Sequence, residues 1–343
     1  MRVSRRFLRT AVLAMVFALA FAGTALAANR MWTGGGGDKK WSTLANWDSG
    51  IPGTGDKAII TAGAEVEVDG PAAAQVVDLA EGAKLTLNNV LDLDNGGELR
   101  ASGNATVTSK AAGGLKFTTT NNVIVSAGKT LTLAAEGAGT IVGDAANALE
   151  LSGGGTLTLK TQVATVKDLR IENGGTLVVD VDDALPALDG RGSTLVEIPK
   201  GNLVVNAEDF GNIVKTLLLR EGNLTLNNPM KEALKTVRIQ SGDLVVAEGV
   251  EIGNPLTPTG ELELGKAADK VGHLKLKGDM TLAKLKTEDT ANTITVASGK
   301  TLIVKELTGD KRLLAIRSGW FIKGYHYDIL GTYYEGHRTV SNS

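Results

Sequence analysis

The sequence predicts an all-β fold, a parallel β-helix of about eleven coils. Three observations predict it. A short motif recurs along the chain at a mean step near 22 residues. Within the motif, apolar and polar residues alternate, as they do in a strand with one buried face. Glycine marks the corners between the strands and makes up 43 of the 343 residues, well above its usual share of about 7%.

Residues 1–27 predict an export signal. A basic stretch with four arginines comes first, an apolar run follows over residues 11–22, and the small residues Ala25–Ala27 predict cleavage after Ala27. The general secretion route is favoured over the twin-arginine route, because the spacing residue after the arginine pair is missing. The apolar run is short for a bilayer span, and no second one follows. We therefore expect a soluble mature chain in the periplasm, at the cell surface or outside the cell.

The charge and the cysteine content of the mature chain exclude several kinds of partner and site. Without the four arginines of the signal, 32 basic residues stand against 38 acidic residues, a net charge of −6. The charges are well mixed, whereas a nucleic-acid partner would require a basic patch. The chain has no cysteine, so it has no disulfide, no thiolate metal site and no cysteine nucleophile.

Residues 28–65 are predicted to form an N-terminal cap and the entry into the β-helix. The stretch "WTGGGGDKKWSTLANWDSGIPGTGD" (residues 32–56) holds three of the four tryptophans. Between residues 48 and 319 the only aromatic residues are Phe117 and Phe210. A stack of coils exposes its apolar core at both ends, and large rings cover such a section with few residues. The predicted N-terminal cap residues are Trp32, Trp41, Asn46, Trp47, Pro52 and Asp56.

Residues 66–310 are predicted to form the coils of the β-helix. The motif is seen in "VKDLRIENGGTLVVD" (166–180), "VKTLLLREGNLTLNN" (214–228) and "ANTITVASGKTLIVK" (291–305). A sandwich or an antiparallel barrel also uses short strands between turns, but such folds do not usually repeat one motif at a near-constant step. The glycines that mark the turn of each unit are Gly82, Gly103, Gly128, Gly154, Gly175, Gly201, Gly222, Gly242, Gly260, Gly278 and Gly299.

Residues 311–343 are a second segment rich in aromatic residues. All four tyrosines of the chain lie in it, together with the fourth tryptophan. It lies where the far end of the stack requires a cover, so Trp320, Tyr325 and Tyr327 are the predicted C-terminal cap residues. The same segment is also suited to docking on a partner.

The entry stretch resembles the start of many exported bacterial surface proteins with β-helical bodies, including autotransporter passenger-like and adhesin-like proteins. The resemblance rests on a W-x-G-G…W-S…N-W…G-x-P…G-D pattern over about thirty residues. It implies a right-handed β-helix that begins at the mature N-terminus, and it implies no activity. The matching positions are Trp32, Gly34, Gly35, Trp41, Ser42, Asn46, Trp47, Gly50, Pro52, Gly55 and Asp56.

The residues that could carry chemistry are few. The glycine run lacks the Gly-Lys-Ser/Thr ending of a phosphate-binding loop, and the chain has only three histidines. Carboxylates are the remaining candidates, since a pair two residues apart on a strand shares one face. Such pairs serve in polysaccharide cleavage or calcium binding, although outward acids on a solenoid are usually solvated. The candidates are Asp92, Asp94, Asp180, Asp182 and Asp183, of which the last three are the weak candidates for a metal.

We therefore predict an exported structural or adhesive surface protein, with no catalytic residue, cofactor or bound metal. Its expected partner is a cell-surface glycan or protein, or another copy that stacks on the end of the solenoid. Two alternatives remain. One is a carbohydrate-active β-helix enzyme, a polysaccharide lyase or hydrolase. The other is the subunit of a self-assembling extracellular fibre or layer.

Overall fold

The computed structural model of the chain is a parallel β-solenoid. It has no α-helix in the part that it describes, where the only helical segment is the 3-10 turn Leu44–Asn46. No described helix is both long and apolar enough to cross a bilayer. The described residues are 28–340 without 111–112, 119–120, 145–146, 162, 165–168, 181–194, 199, 207–215, 230–233, 235, 251, 253–260, 268–269, 288–291, 310–314, 318–319, 324–325, 328–332 and 335–337.

The strands are short and follow one another along the whole described chain. The first eleven are β1 (Asn29–Met31), β2 (Lys57–Ile60), β3 (Glu65–Val68), β4 (Ala72–Leu79), β5 (Lys84–Leu87), β6 (Val90–Ala101), β7 (Ala105–Ser109), β8 (Gly114–Phe117), β9 (Asn121–Val125), β10 (Thr130–Ala135) and β11 (Thr140–Val142). The next eleven are β12 (Leu149–Ser152), β13 (Thr156–Lys160), β14 (Val163–Ala164), β15 (Leu169–Ile171), β16 (Gly175–Val179), β17 (Leu195–Ile198), β18 (Gly201–Val205), β19 (Thr216–Leu219), β20 (Gly222–Leu226), β21 (Thr236–Ile239) and β22 (Gly242–Val246). The last eleven are β23 (Glu261–Leu264), β24 (Lys266–Ala267), β25 (Lys270–Leu276), β26 (Met280–Thr287), β27 (Thr293–Val296), β28 (Thr301–Gly309), β29 (Ala315–Arg317), β30 (Trp320–Lys323), β31 (His326–Tyr327), β32 (Tyr333–Tyr334) and β33 (Arg338–Val340).

Two large sheets form the walls of the solenoid, and the described part of the chain contributes 18 strands to one and 13 to the other. Every described ladder in them is parallel except β24–β25 and β30–β33. The predicted parallel stack is therefore confirmed, and the antiparallel alternative is wrong. The coil count differs slightly from the predicted eleven. Among the described residues, twelve strands follow one another in the parallel ladder of the smaller sheet, from β3 to β29. At the usual strand spacing of about 4.8 Å this ladder is roughly 50 Å long.

The core is a set of aliphatic columns between the sheets. Side chains alternate between buried and half-exposed along the strands, as in β13 and β16. Since the ladders are in register, equivalent leucines of successive coils lie above one another. Burial of each such leucine contributes about 1.5–3 kcal/mol. One column of fully buried leucines contains Leu157, Leu177, Leu203, Leu224, Leu244 and Leu274.

A column of glycines forms one corner of the later coils. Gly175, Gly201, Gly222 and Gly242 pair with one another in order, and Gly272 follows them. A methyl group built on Gly222 would lie 1.7 Å from the carbonyl oxygen of Gly201. The coils can approach this closely only because these residues have no side chain.

The larger sheet forks at β6. The first half of this long strand pairs with β8, and its second half pairs with β9. Two ladders continue from the fork, one through β11 to β14 and the other through β12 and β15. The solenoid therefore has an additional strand per coil in this region.

The structure corrects the repeat register in the last coils. Gly272, which the sequence does not predict as a turn glycine, lies beside Gly242. Gly278 and Gly299 precede β26 and β28, which belong to the larger sheet, whereas the earlier turn glycine Gly128 precedes a strand of the smaller sheet. Strand β24 folds back antiparallel on β25 just before this change. Gly260 lies outside the described residues.

Candidate functional site

The entry segment, residues 28–56, lies across the first edge of both sheets. Beside β1, the Met31 amide donates to Asp48 Oδ1 at 2.9 Å and Met31 O accepts from the Asp48 amide at 3.0 Å. Beside β3, the Trp41 amide donates to Glu67 O and the Glu67 amide donates to Lys39 O, both at 2.8 Å. Backbone groups that an edge strand would otherwise leave unpaired are thus bonded within the chain.

Three tryptophans of the entry segment pack into one cluster that is continuous with the aliphatic core. The ring centroids of Trp32 and Trp47 are 5.1 Å apart and those of Trp41 and Trp47 are 4.8 Å apart, both with steeply inclined planes. Trp47 Nε1 donates to Trp41 O at 2.8 Å. Trp41 Nε1 is enclosed, and no described residue accepts a hydrogen bond from it. The tryptophans are 5%, 2% and 4% exposed in sequence order, so their rings offer no stacking platform.

Asn46 holds the glycine run against the 3-10 turn. Its side chain is fully buried. Its Oδ1 accepts from the Gly36 amide at 2.7 Å, and its Nδ2 donates to Asp38 Oδ1 at 2.8 Å and to Lys40 O at 2.9 Å. Hydrogen bonds from Thr43 and Asn46 hold the pKa of Asp38 below its ordinary value. The glycine run is therefore a folded loop with its shape set by an asparagine.

Asp56 anchors the start of the segment. Its carboxylate accepts from the amides of Ala28 and Gly53, each at 3.1 Å, and from Arg30 Nε at 3.4 Å. Burial raises the pKa of Asp56, but these hydrogen bonds outweigh burial and the pKa is lowered. Pro52, which precedes Asp56 in the same segment, is buried. The role of these residues as a cap stays a prediction, which the tryptophan variants described below test.

A groove of about 340 Å³ opens beside the tryptophan cluster. No described residue accepts a hydrogen bond from Trp32 Nε1, and this nitrogen differs from Trp41 Nε1 in not being enclosed. A methyl group on Gly34 would lie 3.6 Å from it. Lys39 has a φ of 58°, a left-handed conformation that is rare for lysine. The residues that line the groove are Trp32, Gly34, Gly37, Lys39, Gly63 and Glu65.

Glu65 carries the charge network on one wall of the groove. Its carboxylate accepts from Lys39 Nζ at 2.7 Å and from Lys84 Nζ at 3.0 Å. These two lysines lower the pKa of Glu65 from 4.5 to about 2. Sequence reasoning missed this network, because Lys39 and Glu65 are 26 positions apart and meet only when the entry segment lies on β3.

The network predicts an acid-dependent loss of stability. Because the folded-state pKa of Glu65 is lowered to about 2, its carboxylate stabilises the fold fully above pH 4.5 and loses that contribution as the pH falls toward 2. Glu65→Gln removes this dependence. We expect the melting temperature of the wild type to fall further between about pH 5 and pH 2 than that of the variant. Glu136→Gln is the control, since Glu136 contacts one lysine, Lys110, at 3.3 Å. Equal acid profiles for the wild type and Glu65→Gln would contradict the prediction.

Of the predicted carboxylate candidates, Asp92, Asp94 and Asp180 lie among the described residues, and they belong to no metal-binding group there. Asp180 accepts from Asn206 Nδ2 at 2.9 Å and lies 3.9 Å from Lys160 Nζ. Asp182 and Asp183 lie outside the described residues. No group of three or more His, Cys, Asp or Glu residues suited to a metal occurs in the described part of the chain.

The other acidic pair lies near the fork of the larger sheet. Asp92 accepts from Lys116 Nζ at 3.0 Å and from the Thr118 hydroxyl. Asp94 Oδ1 is enclosed, and it accepts no hydrogen bond from the part of the chain that the structure describes. Both lysine and threonine belong to the adjacent coil, so Asp92 joins two coils.

The predicted C-terminal cap is described only through its backbone. Trp320 begins β30, which pairs with β28 and β33, and Tyr327 ends β31, which pairs with β32. Tyr325 lies outside the described residues. The capping role of this segment stays a prediction.

Comparisons of the chain with protein-family models, with curated proteins and with solved structures find no match. The resemblance of the entry stretch to β-helical surface proteins therefore stays a prediction.

Proposed function

We propose that the chain is an exported, non-enzymatic surface protein whose β-solenoid has a structural and adhesive role. The observation that carries this proposal is the bonding between outward side chains of successive coils. Asn223 Nδ2 donates to Asn202 Oδ1 at 2.9 Å, and Asn227 Nδ2 donates to Asn206 Oδ1 at 2.9 Å. These amide ladders run parallel to the leucine columns and join the coils on the outside as the core joins them on the inside.

Ion pairs connect further coils in the same way. Lys57 Nζ lies 2.7 Å from Asp78 Oδ2, and Lys275 Nζ lies 2.5 Å from Asp243 Oδ2. Ion pairs near the surface contribute only about 0–1 kcal/mol each. Their value to the proposal is chemical, since one oxygen of each carboxylate bonds to a lysine of a neighbouring coil. A body with bonded outer faces suits a stiff spacer or an adhesive stalk.

Asp180 separates this proposal from the enzyme alternative. Asp180→Asn keeps an oxygen that can accept from Asn206, and it loses only a distant lysine. We expect the free energy of unfolding to change by no more than about 0.5 kcal/mol, and we expect cell binding to be unchanged. Denaturant titration and a panel of polysaccharide-cleavage assays measure the two properties. Cleavage by the wild type that Asp180→Asn abolishes would support the enzyme instead.

The covered edges of β1 and β3 weigh against the fibre alternative at this end of the solenoid. A second copy could extend the sheets there only after displacing the bonds that Asp48 and Lys39 make. Filaments that form from the purified mature protein, and that are lost on deletion of residues 320–343, would favour the fibre.

Cell fractionation and binding test the proposed function directly. We expect the full-length protein to be exported and processed, and we expect residues 28–343, labelled with a fluorophore, to bind saturably to whole cells. Fractionation of the unprocessed chain with the cytoplasm, or the absence of saturable binding to any surface tested, would contradict the proposal.

A further inference from the structure

We infer that the groove of the entry segment binds one neutral sugar residue of a cell-surface glycan. This inference rests on the proposed adhesive function and names its ligand. The groove has a volume of about 340 Å³, at the small end of the range for ligand sites, which suits one sugar ring and not a long chain segment.

The indole N–H of Trp32 is the donor that points to a ligand. The residue is 95% buried, which makes the position of its nitrogen fixed. No described group accepts its hydrogen bond, and the nitrogen, which is not enclosed, lies beside Gly34, another residue of the groove lining. A ligand oxygen that enters the groove can accept the hydrogen bond of this donor.

The charges on the wall favour a neutral ligand with hydroxyl groups. Lys39 and Glu65 stand 2.7 Å apart, so the groove presents a cation and an anion together. These two opposite charges largely cancel, so the described lining attracts neither an anionic nor a cationic ligand strongly. A sugar hydroxyl both donates and accepts, so it can bond to the carboxylate and accept from an ammonium or indole N–H.

Glycines keep the groove open. A methyl group built on Gly37 or Gly63 would meet no atom within 4 Å, so a side chain at either position would extend into free space at the groove. Gly37 has a φ of 74°, which asparagine tolerates better than most residues. Gly128, which is not a residue of the groove lining, has a φ of 72° and equally free surroundings. Gly37→Asn and Gly128→Asn are therefore matched in backbone strain and differ in their proximity to the groove.

A second matched pair removes an indole N–H. Trp32→Phe removes the donor that faces the groove and retains an aromatic ring. Trp41→Phe makes the same change at a nitrogen that is enclosed, without an acceptor and outside the groove lining. Both variants reduce the size of a ring in the same cluster, so a difference in binding between them reports what Trp32 contributes to the groove and not a general loss of packing in the cluster.

The experiment titrates the mature protein, residues 28–343, with methyl glycosides of glucose, galactose, mannose, N-acetylglucosamine and N-acetylgalactosamine. The methyl glycoside of sialic acid is the anionic comparison. The indole N–H signals of ¹⁵N-labelled protein report binding, and the signal of Trp32 is assigned by its absence in Trp32→Phe.

We expect at least one neutral glycoside to bind and to shift this signal. We expect Trp32→Phe to weaken binding about fivefold to tenfold, as the loss of one hydrogen bond would. Gly37→Asn should abolish binding, whereas Trp41→Phe and Gly128→Asn should bind as the wild type does.

The outcomes separate the groove from the proposed function. Failure of every neutral glycoside to shift the Trp32 signal, or stronger binding of the sialic acid glycoside, overturns the inference. Equal binding by Gly37→Asn and Gly128→Asn also overturns it. If cells are still bound saturably in any of these cases, the adhesive function stands and another surface mediates it. Loss of cell binding in Gly37→Asn alone supports both the groove and the function.

Discussion

Replacing Trp47 by alanine is expected to lower the free energy of unfolding by about 3–5 kcal/mol. Trp47 is the central ring of the cluster, in contact with both Trp32 and Trp41, and is 4% exposed. Its indole N–H also donates to Trp41 O, so the truncation leaves a buried carbonyl with one bond fewer. The cavity would open directly onto the first coil of the core. Denaturant titration followed by circular dichroism measures the loss.

Two phenylalanine variants refine this prediction. Trp47→Phe keeps a ring and loses the hydrogen bond to Trp41 O, whereas Trp41→Phe removes an N–H that has no acceptor. Loss of a made hydrogen bond costs about 0.5–1.5 kcal/mol, and removal of an unsatisfied buried donor relieves a cost. We therefore expect Trp47→Phe to be the more destabilising of the two. A Trp47→Ala protein as stable as the wild type would show that the cluster does not cap the solenoid.

Replacing Gly222 by alanine is expected to cost about 4 kcal/mol or more, in the range that few single substitutions reach. The new methyl group would lie 1.7 Å from Gly201 O, and φ at this position is 136°, outside the usual range for alanine. The two coils would have to separate at this corner. The amide ladder that begins at the next residue pair, Asn202 and Asn223, would lengthen with them. Thermal unfolding and limited proteolysis measure the effect. We expect a lower melting temperature and early cleavage between these coils.

Gly299→Ala is the control for the corner. Gly299 has a φ of 74°, but a methyl group there would meet no atom within 4 Å. Backbone strain alone should cost about 1–2 kcal/mol. Similar losses for Gly222→Ala and Gly299→Ala would mean that close approach of the coils is not what the glycine at 222 provides.

The sequence predicts the repeating part of the fold better than the parts that differ from coil to coil. Alternation in stretches such as Thr176–Val179 and Asn223–Leu226 identifies strands, and their constant step identifies a parallel stack. The register fails after Gly242 because β24 folds back on β25, and the turn at Gly278 then leads into the other sheet. A motif that serves both sheets gives no indication of which sheet a given copy joins.

The candidate site was predictable in its location but not in its chemistry. The tryptophans and Asn46 stand out in the sequence because the rest of the chain is poor in rings. Asp38 and Thr43, both residues typical of turns, were the available signal for the loop that Asn46 organises. The pairing of Lys39 with Glu65 leaves no local trace, since it depends on how the entry segment crosses the first edge of the smaller sheet.

Because the first edges of the two sheets are covered, coils can be added to the solenoid in one direction only, towards the C-terminus. Each coil pairs with the next at a separation of about twenty residues, as in Gly201 with Gly222, so the entropy lost on closing a coil is similar all along the chain. With one side of the first coil bonded to the entry segment, new strands can add only on its other side. A chain that crosses a membrane from its N-terminus would present its coils in that same order. Such a protein can fold coil by coil from its N-terminus, because each completed coil offers its free strand edges to the coil that follows it.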